Sequence, residues 1–99
     1  MSDIFRQKEA AEEAKAAQDD TRRFRQHVAM MRHFGRMIDE ECGRPTTDLA
    51  EKLADIAVMH GLKGDVMAQL RPVIDASQVS IAEPRLHELL GQARREAGL

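Results

Sequence analysis

The sequence predicts an all-α protein, a four-helix bundle with a long first helix whose N-terminal part is charged and mobile when free. Three observations predict it. Ala, Glu, Arg, Leu and Met are plentiful, β-branched residues are sparse, and there are three Phe with no Tyr or Trp, a composition that favours helix over sheet. From Asp3 to Cys42 there is no Pro, and Gly35 is the only Gly. Beyond Cys42, apolar residues recur at helical spacing in segments bounded by Gly, Pro and capping residues.

The first helix has two parts. Between Phe5 and Phe24 the only apolar residues are five alanines, and ten of the 18 intervening residues are charged. Helix propensity is high there, but there is no stripe to bury, and an isolated helix of this length is marginal in water. At Phe24 the pattern changes. Phe24, Val28, Met31, Gly35, Ile38 and Cys42 step by four and three along one helix face, and Phe34 widens it. Arg22, Arg25, Ala29, Arg32 and Arg36 share another face, and no acid occurs from Thr21 to Ile38. The chain therefore divides into a partner-binding segment, residues 1–20, and a bundle domain, residues 21–99.

Gly43-Arg44-Pro45 stops the first helix. Thr47 or Asp48 starts a second, with Asp48 and Glu51 at capping-box spacing, and its buried face is Leu49, Leu53, Ile56 and Ala57. Gly61 closes it, and Leu62-Lys63-Gly64 is a short loop. A third helix runs from about Asp65 to Ala76 and buries Val66, Leu70, Val73 and Ile74. Pro72 inside it removes one backbone bond, so the helix is kinked there, starts late, or is split. Ser80-Ile81-Ala82-Glu83 reads as a second capping box. Pro84 falls in the first turn of a fourth helix, which carries Leu86, Leu89, Leu90 and Ala93 inward. Met30, Met31, Met37 and Met59 read as adaptable core filler.

Bulk properties narrow the function. Fifteen basic residues against 17 acidic ones leave a net charge of −2, and neither half is a basic arm or an acidic tail, which gives no argument for nucleic acid. Cys42 is the only cysteine, so no internal disulfide forms and a reducing cytoplasm fits best. No apolar run approaches the roughly 20 residues that span a bilayer.

Catalytic and metal-binding patterns are missing. His27, His33, His60 and His87 form no HxxxH, HExxH or Cys–His pair. His60 precedes Gly61 at a helix C-terminus, where positive charge is favoured. Ser2, Ser77 and Ser80 lie in no nucleophile elbow, and Gly61-Leu62-Lys63-Gly64 lacks the length and ending of a P-loop. Asp39-Glu40-Glu41 are consecutive on a helix and so point in different directions; they read as solvated surface. The chain is not expected to be an enzyme, a metal protein or a cofactor carrier. Two features remain. Arg22, Arg25, Arg32 and Arg36 are either a solvated or ion-paired face, a seat for an acidic protein, or a contact for phosphate. The coreless N-terminal segment suits folding upon a partner.

Phe5, Lys8-Glu9, Ala11, Glu13, Lys15, Asp19-Asp20 and Phe24, with the onward spacing to Gly35 and Gly43, resemble the zeta subunit of alphaproteobacterial F-type ATP synthases. Asp65-Val66, Arg71, Asp75-Ala76 and Val79 are similar to that family's third helix and following turn. The resemblance spans nearly the whole chain. Ala29-Met30-Met31 stands where the family carries a paired Arg and an Asn, and Met37-Ile38-Asp39 stands in place of a Trp-Ala-Ala stretch. The acidic run before the third helix is reduced to Gly61-Leu62-Lys63-Gly64-Asp65. The chain thus resembles a divergent member or paralogue.

The resemblance implies a regulatory subunit that inhibits ATP hydrolysis by inserting its N-terminal helix into the catalytic head, with that head's α and β subunits as partners. It implies a cytoplasmic protein peripherally associated with the inner-membrane synthase, and at most weak adenine-nucleotide binding. Ile4, Phe5, Lys8, Glu9, Glu12 and Lys15 are then the inserting residues. Two other readings stay open: a helical adaptor for another protein, and a nucleotide or nucleic-acid binder through the Arg22–Arg36 face.

Overall fold

A computed structural model describes the backbone of residues 2–45, 47–62 and 64–99, and the side chains of 20–45, 47–62 and 64–99. Four helices and no strand occur among the described residues: α1 (Ser2–Glu41), α2 (Leu49–His60), α3 (Val66–Ala76) and α4 (Glu83–Glu96). Helix α1 packs on α2 and α4, and α3 packs on α2. The molecule measures 64 × 23 × 22 Å, and its long dimension matches the ~60 Å of a 40-residue helix rising about 1.5 Å per residue.

The bundle is built on a broad face of α1. Val28, Met30, Met31, Phe34, Met37 and Ile38 are all buried, because α2 covers one flank of the helix and α4 another. From the other helices come Leu49, Leu53, Ala54 and Ala57, then Met67, Leu70 and Ile74, then Leu86, Leu89 and Ala93. Ile56, Val66, Val73 and Leu90 pack at the edge of this core, partly buried.

Gly35 sits where α1 and α2 come closest. A Cβ placed on it would lie 2.5 Å from the Ala50 Cα and 2.7 Å from the Ala50 nitrogen. Hydrogen at this position is therefore a steric requirement of the helix pair. Gly91, in the middle of α4, is different, because a Cβ there would meet only the Arg95 side chain at 3.7 Å.

The turn after α1 closes on itself. Gly43 has φ +65°, the left-handed conformation that a Schellman cap needs. The Gly43 N–H donates to the Glu40 carbonyl at 3.0 Å and the Arg44 N–H to the Asp39 carbonyl at 3.1 Å. The Asp39 side chain is engaged by the same loop. It accepts from Arg44 Nε at 2.7 Å, from the Thr47 N–H at 2.9 Å and from the Thr47 hydroxyl at 3.0 Å. Arg44 Nη1 reaches on to the Ser77 carbonyl at the end of α3, at 2.9 Å.

This corrects the reading of Asp39-Glu40-Glu41 as solvated surface. Asp39 is only 2% exposed. Glu41 pairs with Arg85 of α4 at 2.9 Å, and of the three carboxylates only that of Glu40 has no partner among the described residues. The three do point in different directions, but two of those directions meet protein. Burial alone would push the Asp39 carboxyl up; the Thr47 N–H, the Arg44 guanidinium and the Thr47 hydroxyl outweigh it and hold the pKa below the ordinary 3.8.

Other expectations change in detail. Phe24 is 47% exposed, because it lies one turn beyond Val28, where the core ends. Met59 is 74% exposed and so is not core filler; it lies on the outer side of α2. The Asp48–Glu51 capping box does not form. The Leu49 N–H is taken by the Thr47 hydroxyl at 3.2 Å, and Asp48 pairs with Lys52 instead. Nor does Ser80 cap α4, which starts at Glu83 with Ala82 before it and Pro84 in its first turn. Asp65 does cap α3, accepting from the Ala68 N–H at 3.2 Å. Helix α3 runs unbroken through Pro72, whose ring faces solvent, so the alternatives of a late start and a split helix fall away.

Two predictions follow from this packing. Gly35→Ala will lower stability by about 1–3 kcal/mol through overpacking, against the usual gain for Gly→Ala in a helix, whereas Gly91→Ala will raise it by about 0.5–1 kcal/mol; urea unfolding of the two variants gives opposite signs. Asp39→Ala will cost about 3 kcal/mol by stranding Arg44. Because the folded pKa of Asp39 is depressed, its contribution is complete above pH 3.8 and is lost as pH falls through the lower folded value. The gap between wild type and Asp39→Ala in thermal unfolding will therefore narrow only below about pH 4.

Candidate functional site

Helix α1 carries both candidate surfaces. Its N-terminal part continues the bundle's own helix back to Ser2. Ile4, Phe5, Lys8, Glu9, Glu12 and Lys15 stand on it, and their side chains lie outside the described residues. At about 100° per residue these six positions fall within an arc of about 140°, so they share one side of the helix axis.

The second surface is the basic face. Arg22, Arg25, Arg32 and Arg36 are all exposed and occupy an arc of about 80° on α1. Arg32 is drawn to α2 by Glu51, at 3.2 Å. Among the described residues no ion pair reaches Arg22, Arg25 or Arg36, so the face is ion-paired at one position and solvated at three.

Three ties hold α1 to α4 along the bundle. Arg85 grips Glu41 through two hydrogen bonds, of 2.9 and 3.0 Å. These bonds hold the Glu41 carboxyl below its ordinary range and raise the Arg85 guanidinium. His33 pairs with Glu96, whose carboxyl is held low first by the Gln92 amide and then by His33. Gln26 donates to the Ala97 carbonyl at 3.2 Å. The order of the partners makes α4 antiparallel to α1.

Beside the last tie, between α1 and the C-terminal end of α4, is an open cleft of about 560 Å³ lined by Arg23, Gln26, His27, Arg94, Gly98 and Leu99. Sequence reasoning passed over Arg23 and Arg94. Arg23 falls off the arc of the basic face, and only the folding of α4 onto α1 brings Arg94 to it.

Among the described residues no group of three or more His, Cys, Asp or Glu side chains could hold a metal ion. Among those residues, too, no helix is long and apolar enough to cross a membrane. His60 ends α2 as expected and is exposed, and His87 lies 4.0 Å from Glu83 on its own helix.

Fold and surfaces together define a small helical bundle that displays one long charged helix. The family model described as ATPase inhibitor subunit zeta matches residues 1–98, and the chain belongs to that family. Membership supports an ATPase-inhibitory role with an ATP synthase as partner. No curated protein and no solved structure matches the chain.

Because Arg22, Arg25 and Arg36 make no intramolecular ion pair among the described residues, their combined replacement by Gln will shift unfolding by less than about 0.5 kcal/mol per site. Chemical denaturation of the triple variant checks this.

Proposed function

We propose that this protein inhibits ATP hydrolysis by the F-type ATP synthase, inserting the N-terminal part of α1 into the catalytic head formed by the α and β subunits. The observation that carries the reading, together with the family match, is the single continuous helix from Ser2 to Glu41. Its second part is bolted into a core, while its first part has no apolar stripe to bury in that core.

A helix already nucleated in a bundle extends at one hydrogen bond per residue, without a new nucleation cost. Residues 21–99 thus act as a carrier that presents residues 1–20 in helical register. In this mechanism Ile4 and Phe5 are the apolar anchor, and Lys8, Glu9, Glu12 and Lys15 set the register by pairing with charges of the head. The chain itself catalyses nothing. It resides in the cytoplasm, held at the inner membrane through the synthase rather than through lipid.

Deleting residues 1–19 will abolish inhibition of ATP hydrolysis by the cognate enzyme and leave the bundle's unfolding transition in place. Phe5→Ala in the full chain will raise the half-inhibitory concentration by roughly tenfold or more, as expected of a buried aromatic anchor. Full inhibition by the truncated chain rules the mechanism out.

A further inference from the structure

We propose that the cleft between α1 and the end of α4 is a second docking surface for the same partner, which seats an acidic, apolar-bearing segment of the catalytic head. This rests on the inhibitory reading above and adds a second point of attachment to it.

The first argument is charge. Arg23, His27 and Arg94 converge on the cleft, and among the described residues no acidic side chain lines it. Glu96, the nearest acid along α4, is occupied by His33 and Gln92. No described ion pair neutralises Arg23 or Arg94. Two helices thus bring together two guanidinium groups that no described acidic side chain pairs with, an arrangement that favours an acidic partner surface.

The second argument is apolar exposure. Leu99, in the cleft, is 38% exposed, and Phe24, next to Arg23, is 47% exposed. An exposed leucine between basic side chains, with Phe24 the next residue along α1 from Arg23, suits a protein segment better than a small anion, which has nothing to bury against it.

The third argument is register. Steps of four and three from Phe5 lead through Glu9, Glu12, Ala16 and Asp19 to Arg23 and on to His27, which is one face of a helix. A surface that lies along the Phe5–Glu12 side of α1 meets the cleft about 16 Å further on, at 1.5 Å per residue. There α4 ends and closes that face off.

The test is a titration of the cognate ATPase with the full chain carrying Arg23→Glu together with Arg94→Glu. The control is Arg95→Glu together with Lys52→Glu, which changes net charge equally elsewhere. The cleft variant is expected to need roughly tenfold more protein for half-inhibition and to show a shallower dependence on salt. Its inhibition at saturation should be unchanged, and the control should match wild type. Arg23→Gln with Arg94→Gln, milder for folding, should show a smaller shift in the same direction.

Equal half-inhibitory concentrations for wild type and both cleft variants overturn the proposal while leaving the inhibitory reading intact. So does a cleft variant that differs from wild type only in binding ADP, which would make the cleft a small-anion site. A wild-type chain that neither binds nor inhibits the enzyme removes both readings.

Discussion

The closeness of α1 to α2 at Gly35 is the constraint on which the rest of the bundle depends. With the Ala50 backbone where a Cβ would have to go, the two helices meet main chain to main chain, and only small residues fit along the contact. Ala50, Ala54 and Ala57 are all buried in α2. This approach leaves room for Phe34 and Leu53 to be wholly enclosed beside it. It also brings Glu51, the residue after Ala50, within reach of Arg32. A 99-residue chain has few core positions to spend, and close backbone approach draws more packing from each of them.

The Asp39 cluster answers a different need. The loop from α1 to α2 must reverse the chain within a few residues, and its polar groups must be satisfied where they are buried. One carboxylate does this for the loop on three sides, taking bonds from Arg44 and from both the backbone and the hydroxyl of Thr47. Through Arg44 the same group reaches the end of α3. Three of the four helices therefore meet at one buried charge.

Much of the fold was legible because helical periodicity and turn chemistry are local signals. Val28, Met31, Phe34 and Ile38 announce a buried face by spacing alone, and Gly43 and Gly61 mark real helix ends. What was not legible depended on where a neighbour stops or starts. Phe24 continues the apolar spacing, yet the core ends before it. Met59 has the chemistry of a core residue on the wrong side of its helix. Asp39 sits in an acidic triplet that looks like surface, and only the returning loop supplies its partners. Ser80 and Glu83 have capping-box spacing, but α4 begins later. Arg22, Arg25, Arg32 and Arg36 stand exposed on α1, on an arc apart from the helix's apolar face. The cleft of Arg23 and Arg94 was invisible, because residues 71 positions apart in sequence meet only once α4 folds back.

The ties between α1 and α4 have a mechanical meaning. Helix α1 is a beam clamped from Gln26 to Glu41, and Phe5 stands about 30 Å out from the inner clamp at 1.5 Å per residue. A sideways load at that end is multiplied by the lever arm and must be resisted as a couple. Gln26 and His33 bear on α4 near the fulcrum, while Arg85 and the Asp39 cluster hold the far end of the beam. Those far contacts, remote from the loaded end, then govern how much force that end can withstand before the bundle opens.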